Sequence, residues 1–148
     1  MKNIVSEIEI SYKNKSSNKE KIGNSKDTYK CFKSIWALNK IEHKEMMYAM
    51  YLNRQNLVLA ILLISEGGLT GTICDPRIIF QGALKTNASS IILAHNHPSG
   101  NMKPSEADIH ITNKIVAGGK LLDYEILDHL ILSPEDGIYY SFADQGRL

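Results

Sequence analysis

Two histidines separated by one residue stand in the middle of the sequence, and an aspartate follows them beyond a turn. His95 and His97 come directly after a continuous apolar run, which is typical of a buried strand. Residues two apart on an extended chain point to the same side, so the two imidazoles can face one point. Pro98 and Gly100 favour a sharp turn, and the pattern then predicts a helix whose first turn contains Asp108. Such a set of nitrogen and carboxylate side chains is typical of a metal site.

The position of Asp108 on its predicted helix supports this interpretation. At about 100° per residue, Asp108 falls in the apolar stripe beside Ile111 and Ile115. An unpaired carboxylate buried there would cost several kcal/mol, and a metal shared with the two histidines would compensate for it. His110 points away from this stripe, so we leave it out of the site.

Two imidazoles and one carboxylate leave the fourth position of a tetrahedral zinc ion open, which is typical of catalytic sites. Zinc lowers the pKa of bound water to about 7 and makes hydroxide available at neutral pH. We expect Glu66, which precedes Gly67-Gly68 at a strand edge, to act as general base, although an exposed carboxylate is nearly as good an interpretation. Ser105 could donate a hydrogen bond to an oxyanion, and it also fits the N-cap of the helix that carries Asp108.

The remaining pattern interleaves strands and helices, which predicts an α/β or α+β fold with one mixed sheet. Helices are expected from residue 25, from the Asp75-Pro76 cap to about residue 86, and from Ser105 to Gly118-Gly119, where the glycines would end the helix. Strands are expected at 4–12, 46–52, 57–64, 69–74, 91–94, 124–132 and 138–142.

The composition is that of an ordinary globular protein. The 148 residues are 43% hydrophobic and 22% charged, and no apolar run approaches the length of about 20 residues that spans a bilayer. The N-terminus lacks the pattern of a signal peptide, so we expect a cytoplasmic protein. Cys31 and Cys74 lie far apart in the sequence and are expected to be reduced thiols, so a metal here would use histidine and carboxylate.

The first 45 residues differ in charge from the rest. They hold ten lysines against six acidic residues, whereas residues 46–148 hold seven basic against ten acidic residues. A basic segment could attract nucleic acid. A solvated, lysine-rich lead-in is the interpretation we favour, because the lysines are scattered through a polar loop.

The spacing His95-x-His97, then Ser105, then Asp108 resembles the JAMM motif of the JAB/MPN metalloprotease-like domain. The strings at residues 75–77, 94–100, 127–129 and 140–142 look like the RadC branch of that family. The resemblance covers roughly residues 46–148 as one domain, with residues 1–45 leading into it as a strand, a polar loop and a helix.

The resemblance implies a mixed sheet flanked by helices, related to the cytidine-deaminase-like architecture. It implies that His95, His97 and Asp108 bind zinc, that Ser105 assists at the oxyanion, and that an upstream glutamate activates water. Glu66 falls in the expected region, with Glu42, Glu45 and Glu106 in reserve. Asp128-His129 also looks typical of the family, but we favour a strand histidine satisfied by hydrogen bonds.

The leading functional hypothesis is a zinc peptidase or isopeptidase, with a peptide or isopeptide as substrate. Two alternatives remain open: an accessory protein in DNA repair or mobile-element biology that acts on or near nucleic acid, and a non-catalytic metal-binding interaction module. A nucleobase deaminase is excluded because its H-x-E and P-C-x-x-C motifs are missing. The compact His95-Asn96-His97 run is likewise a poor match to an H-N-H nuclease.

Overall fold

The structure, a computed structural model, describes residues 6, 9–15, 17–67 and 74–148. Its helices and strands, in chain order, are α1 (Ser25–Ile35), β1 (Met46–Leu52), β2 (Val58–Glu66), α2 (Pro76–Thr86), β3 (Ser90–Asn96), α3 (Glu106–Leu121), β4 (Glu125–Leu132) and β5 (Tyr139–Ser141). In the described part of the chain, no helix has the length and apolar character that a membrane span requires.

The strands form one mixed sheet in the order β2-β1-β3-β4-β5. β1 runs antiparallel to both β2 and β3, β3 runs parallel to β4, and β5 is antiparallel to β4. A parallel pair needs a crossover connection, which α3 supplies between β3 and β4. β3 occupies the centre of the sheet and all of its residues are buried. The predicted class, a mixed sheet flanked by helices, is confirmed.

Alternate residues of β1 and β3 face two different hydrophobic clusters, as the two-residue period of a strand requires. The α1 face includes Tyr29, Phe32, Trp36, Met46, Met50, Ile92 and Ala94. The face covered by α2 and α3 includes Met47, Ala49, Tyr51, Ile79, Ala83, Ile91, Leu93 and Ile115. Residues on both sides of the expected boundary between 45 and 46 therefore contribute to the cluster on the α1 face.

Most of the expected elements are present. The helices beginning near residues 25 and 75 and the strands at 46–52, 57–64, 91–94, 124–132 and 138–142 agree with the structure to within a few residues. The strand expected at 69–74 lies outside the described residues, apart from Cys74, which is not in a strand. Of the strand expected at 4–12, residues 4, 5, 7 and 8 lie outside the described residues, and residues 9–12 are not in a strand.

The expectation that α3 ends at Gly118-Gly119 is wrong, because the helix continues through both glycines to Leu121. A Cβ atom on Gly118 would lie 2.9 Å from the Phe80 ring, and one on Gly119 would lie 2.6 Å from the carbonyl oxygen of Tyr124. The glycines therefore allow close packing of α3 against neighbouring segments. The left-handed residue that follows the helix is Asp123, with a φ of 60°.

This packing predicts whether replacing Gly119 raises or lowers the stability of the protein. Alanine in place of Gly119 should destabilise the protein by about 2 kcal/mol, because its methyl group would collide with the backbone of Tyr124. If Gly119 only weakened the helix, its replacement by alanine would instead raise the free energy of unfolding by about 1 kcal/mol. Urea unfolding measures the difference, with Asn113→Ala on the exposed side of the same helix as the control. A more stable Gly119→Ala variant would contradict the packing role.

Candidate metal centre

His95 and His97 come to the same place because of their positions on and after β3. Leu93 faces α2 and α3, so His95, two residues later, points to that side as well. Its side chain is 3% exposed, and that of His97, just beyond the strand, is 15% exposed. The end of β3 therefore presents two imidazole rings toward the first turn of α3.

Asp108 reaches the histidines from that first turn and is held there by the helix cap. Ser105 is the N-cap of α3, and its hydroxyl accepts a hydrogen bond from the Asp108 amide at 3.0 Å. The Ser105 amide donates in return to Asp108 Oδ2 at 2.8 Å. This reciprocal pair is a capping box, which fixes the carboxylate as well as the start of the helix.

The tautomer of His97 is determined by its contact with the backbone. Nδ1 lies 2.6 Å from the carbonyl oxygen of Asn101, and because a carbonyl oxygen can only accept, Nδ1–H must be the donor. In the neutral ring the lone pair is then on Nε2. This atom lies 3.0 Å from His95 Nε2 and 3.1 Å from Asp108 Oδ2, so the neutral ring directs a lone pair at an acceptor oxygen, and only the protonated ring can donate to it.

The distances among these atoms fit a metal ion. Ligand atoms about 2.05 Å from a tetrahedral zinc ion are about 3.3 Å apart. The separations are 3.0 Å between the two Nε2 atoms, 3.1 Å from His97 Nε2 to Asp108 Oδ2, and 3.3 Å from His95 Nε2 to Asp108 Oδ1. With Glu45 added, each residue offers a ligand atom within 4.8 Å of the others. This cluster could bind a metal ion.

The electrostatics of the cluster also favour a cation. Burial opposes ionisation of Asp108, but the close His95 and His97 rings, which can carry positive charge, outweigh burial and hold its pKa well below the usual range. Burial likewise opposes protonation of His97, yet the hydrogen bonds to Asp108 and to the Asn101 carbonyl raise its pKa. The surroundings thus stabilise a negative carboxylate facing a positive charge.

Glu45 is the second carboxylate of the cluster. It immediately precedes β1, and Met47 of that strand lies opposite His95 in the register. Glu45 Oε1 lies 3.9 Å from His95 Nε2, farther than Asp108 does. Burial raises the pKa of Glu45 and outweighs the opposing effect of the two histidines. Beside these side chains is a cavity of about 160 Å³, which is lined in part by Met47 and Ile111 and has room for water.

Glu66, the carboxylate that the sequence favoured as general base, lies outside this cluster. It is paired with Lys40 at 2.9 Å and with Lys44 at 3.3 Å. Hydrogen bonds from these two lysines lower its pKa, which is the wrong direction for a base that works near neutral pH. The other two reserve candidates, Glu42 and Glu106, are exposed.

His129, on β4, is a fully buried strand histidine with hydrogen bonds. One of its partners is His95, whose Nδ1 lies 2.7 Å from His129 Nε2. Burial and the neighbouring His95 hold the pKa of His129 well below its ordinary value. The preceding Asp128 accepts hydrogen bonds from the His129 amide, the Ser141 hydroxyl and the Ala143 amide, and burial raises its pKa.

Asn96, between the two histidines, points to the opposite face and anchors the segment that carries Glu45. Its Oδ1 accepts a hydrogen bond from the Met46 amide at 2.7 Å. Its Nδ2 donates to the carbonyl oxygens of Ile41 at 2.8 Å and Lys44 at 2.9 Å. The side chain is fully buried, so these hydrogen bonds replace the ones that it would make to water in the unfolded chain. Asn96 thus fixes the backbone on both sides of Glu45 relative to β3.

An isosteric substitution tests this anchor. Asn96→Asp removes both donors and places a carboxylate against two carbonyl oxygens, so the free energy of unfolding should fall by at least about 3 kcal/mol. Asn53→Asp is the matched control, because Asn53 Oδ1 accepts hydrogen bonds from the Gln55 and Leu57 amides and Asp keeps that function. Urea unfolding of both variants compares them. Equal stability of the two would contradict the role of Asn96.

Comparison with known proteins finds one matching family model and several similar proteins. A family model described as "RadC-like JAB domain" matches residues 22–147. The UPF0758 protein of Flavobacterium johnsoniae is 42% identical over 127 residues, which are 86% of this chain and 53% of that protein. The UPF0758 protein of Methanosarcina mazei is 41% identical over 128 residues, 86% of this chain and 54% of that protein.

A third UPF0758 protein, from Porphyromonas gingivalis, is 43% identical over 105 residues, 71% of this chain and 46% of that protein. The chain therefore spans about half the length of the curated relatives it matches. Since the family model covers most of the sequence, including both histidines and Asp108, the chain belongs to the RadC-like JAB domain family.

Proposed function

We propose that this domain is a zinc-dependent hydrolase that cleaves an amide bond in a peptide or isopeptide. The observation that carries the proposal is the convergence of His95, His97 and Asp108 on one point with a second carboxylate, Glu45, beside them. Two imidazoles and a carboxylate are a ligand set that suits zinc and leaves a position for water or substrate. A zinc ion held there supplies a Lewis acid that polarises a carbonyl group and acidifies water.

Glu45 is the general base of this proposal. Glu45 lies beside the cluster but farther from His95 Nε2 than Asp108 does, and this position suits a group that handles a proton rather than one that binds the metal. Glu45 would take a proton from the attacking water and return it to the nitrogen of the leaving amine. The cavity next to the carboxylate provides the space in which water can reach it.

Ser105 is assigned to the oxyanion of the tetrahedral intermediate. Its hydroxyl oxygen accepts the hydrogen bond of the helix cap, and this leaves its hydrogen free to be donated. The cap and the donor functions are therefore compatible in one side chain. Removing one such donor typically costs a hundredfold or more in rate.

The metal is tested by elemental analysis of protein purified without added metal or chelator. We expect about one zinc ion per wild-type chain. Asp108→Ala should contain none, because it loses the carboxylate that lies beside both histidines. Asp123→Asn, at an exposed left-handed position after α3 that asparagine also adopts, serves as the control and should retain its zinc. Wild-type protein without zinc, even after zinc is added back, would refute the proposal.

The general base is tested by a pair of matched substitutions. Zinc-loaded wild-type protein is screened against peptide and isopeptide libraries, and the hydrolysed substrate is then offered to the variants. Glu45→Gln should keep its zinc and lose roughly 10²–10⁴-fold in kcat, the usual contribution of a general base. Glu66→Gln should keep most of its activity, because that carboxylate is paired with Lys40 and Lys44.

The reverse pattern, with activity lost in Glu66→Gln and kept in Glu45→Gln, would transfer the role to Glu66. Normal zinc content without hydrolysis of any library member would favour a non-catalytic interaction module instead.

A further inference from the structure

His95 is the first member of a chain of buried hydrogen bonds that leads to α3. Its Nδ1 lies 2.7 Å from His129 Nε2, and His129 Nδ1 lies 2.7 Å from the hydroxyl oxygen of Thr112. The Thr112 hydroxyl donates to the carbonyl oxygen of Asp108 at 2.6 Å. Both His129 and Thr112 are completely buried, so water does not compete for these bonds.

The last acceptor determines the direction of every bond in this chain. The Asp108 carbonyl can only accept, so the single hydroxyl hydrogen of Thr112 is used there. Thr112 must then accept from His129, which places a hydrogen on His129 Nδ1. In a neutral His129 ring, Nε2 carries the lone pair and accepts from His95 Nδ1–H.

Burial keeps the His129 ring neutral. The side chain has no exposed surface and is stacked on Phe142, with ring centres 5.0 Å apart and an angle of 12° between the planes. A charged imidazole without solvent or a contacting carboxylate would be costly there. The stacking also holds the ring plane, so both nitrogens stay aligned with their partners.

We propose that His129 and Thr112 are positioning residues that hold His95 in its Nδ1–H tautomer, with the Nε2 lone pair directed into the metal cluster. The direction of the hydrogen bonds follows from their geometry and from the burial of His129, whereas their consequence for metal binding rests on the proposed function. Asp108 is in contact with both ends of this chain of hydrogen bonds. Its carboxylate lies beside His95 Nε2, and its carbonyl oxygen accepts from Thr112.

This chain of hydrogen bonds opposes a competing arrangement. Asp108 Oδ1 lies 3.3 Å from His95 Nε2 and would attract a hydrogen to that atom, which would block metal binding. Partners that fix the tautomer of a metal-binding histidine typically contribute 10–100-fold in metal affinity. The identity of residues 112 and 129 should therefore influence zinc affinity although neither contacts the metal.

The tautomers are measured first, by long-range ¹H–¹⁵N spectra of the histidine side chains in metal-free wild-type protein at about pH 8.5, above the ordinary pKa of imidazole. We expect a hydrogen on Nδ1 of His129 and none on its Nε2, together with a hydrogen on His95 Nδ1. A hydrogen on His129 Nε2 would overturn the proposal. This measurement needs neither substrate nor metal, so it decides the proposal even if the protein binds no zinc and the proposed function fails.

Zinc affinity is measured second, by competition with a chelating dye. Thr112→Val keeps the shape of the side chain but removes the hydroxyl, and its zinc affinity should fall roughly 10–100-fold. Thr112→Ser restores the hydroxyl and should bind close to wild type, with the wild-type histidine spectrum. A merely structural role would change stability in Thr112→Val but leave the His95 and His129 nitrogen shifts unchanged. Wild-type affinity and unchanged shifts in that variant would overturn the proposal.

Discussion

The two-residue alternation of β3, buried on both faces at the centre of the sheet, is the constraint on which the site depends. It directs His95 toward α3 and Asn96 toward the α1 side, so adjacent residues serve different functions. His95 supplies a nitrogen atom to the cluster, and Asn96 ties the start of β1 and the segment before it to β3. A shift of this strand by one residue would exchange the two sides and abolish both functions.

The cluster brings imidazole nitrogens and carboxylate oxygens close together, and the surrounding structure keeps them in place. When the His97 ring is neutral with its hydrogen on Nδ1, His97 Nε2 and the oxygens of Asp108 are acceptors that face one another at close range, so they repel unless a proton or a metal ion lies between them. The capping box at Ser105 and the Asn101 carbonyl keep these groups in place with bonds outside the cluster. A ligand that binds the folded protein here adds its binding free energy to stability. The bonds outside the cluster thus hold its ligand atoms at the spacing that a cation needs.

Much of the fold and the approach of His95, His97 and Asp108 to one another were predictable because both depend on local patterns. The Asp75-Pro76 cap, the continuous apolar run before His95 and the placement of Asp108 on an apolar helix face are readable from neighbouring residues. The end of α3 was not predictable. Gly118 and Gly119 allow close packing against Phe80 and the backbone of Tyr124, and neither contact can be read from the helix sequence itself. The bond between His129 and His95 likewise depends on the register of β4 against β3.

The choice between Glu45 and Glu66 shows how a site can depend on strand parity. Met46 is paired with Glu66 across the two antiparallel strands, and paired residues point to the same face. Met46 faces α1, so Glu66 is directed to that side, where Lys40 and Lys44 neutralise it. Glu45 precedes Met46 by one residue and takes the opposite direction, toward His95. Both glutamates lie at the same end of the sheet, and the strand register decides which of them reaches the cluster of His95, His97 and Asp108.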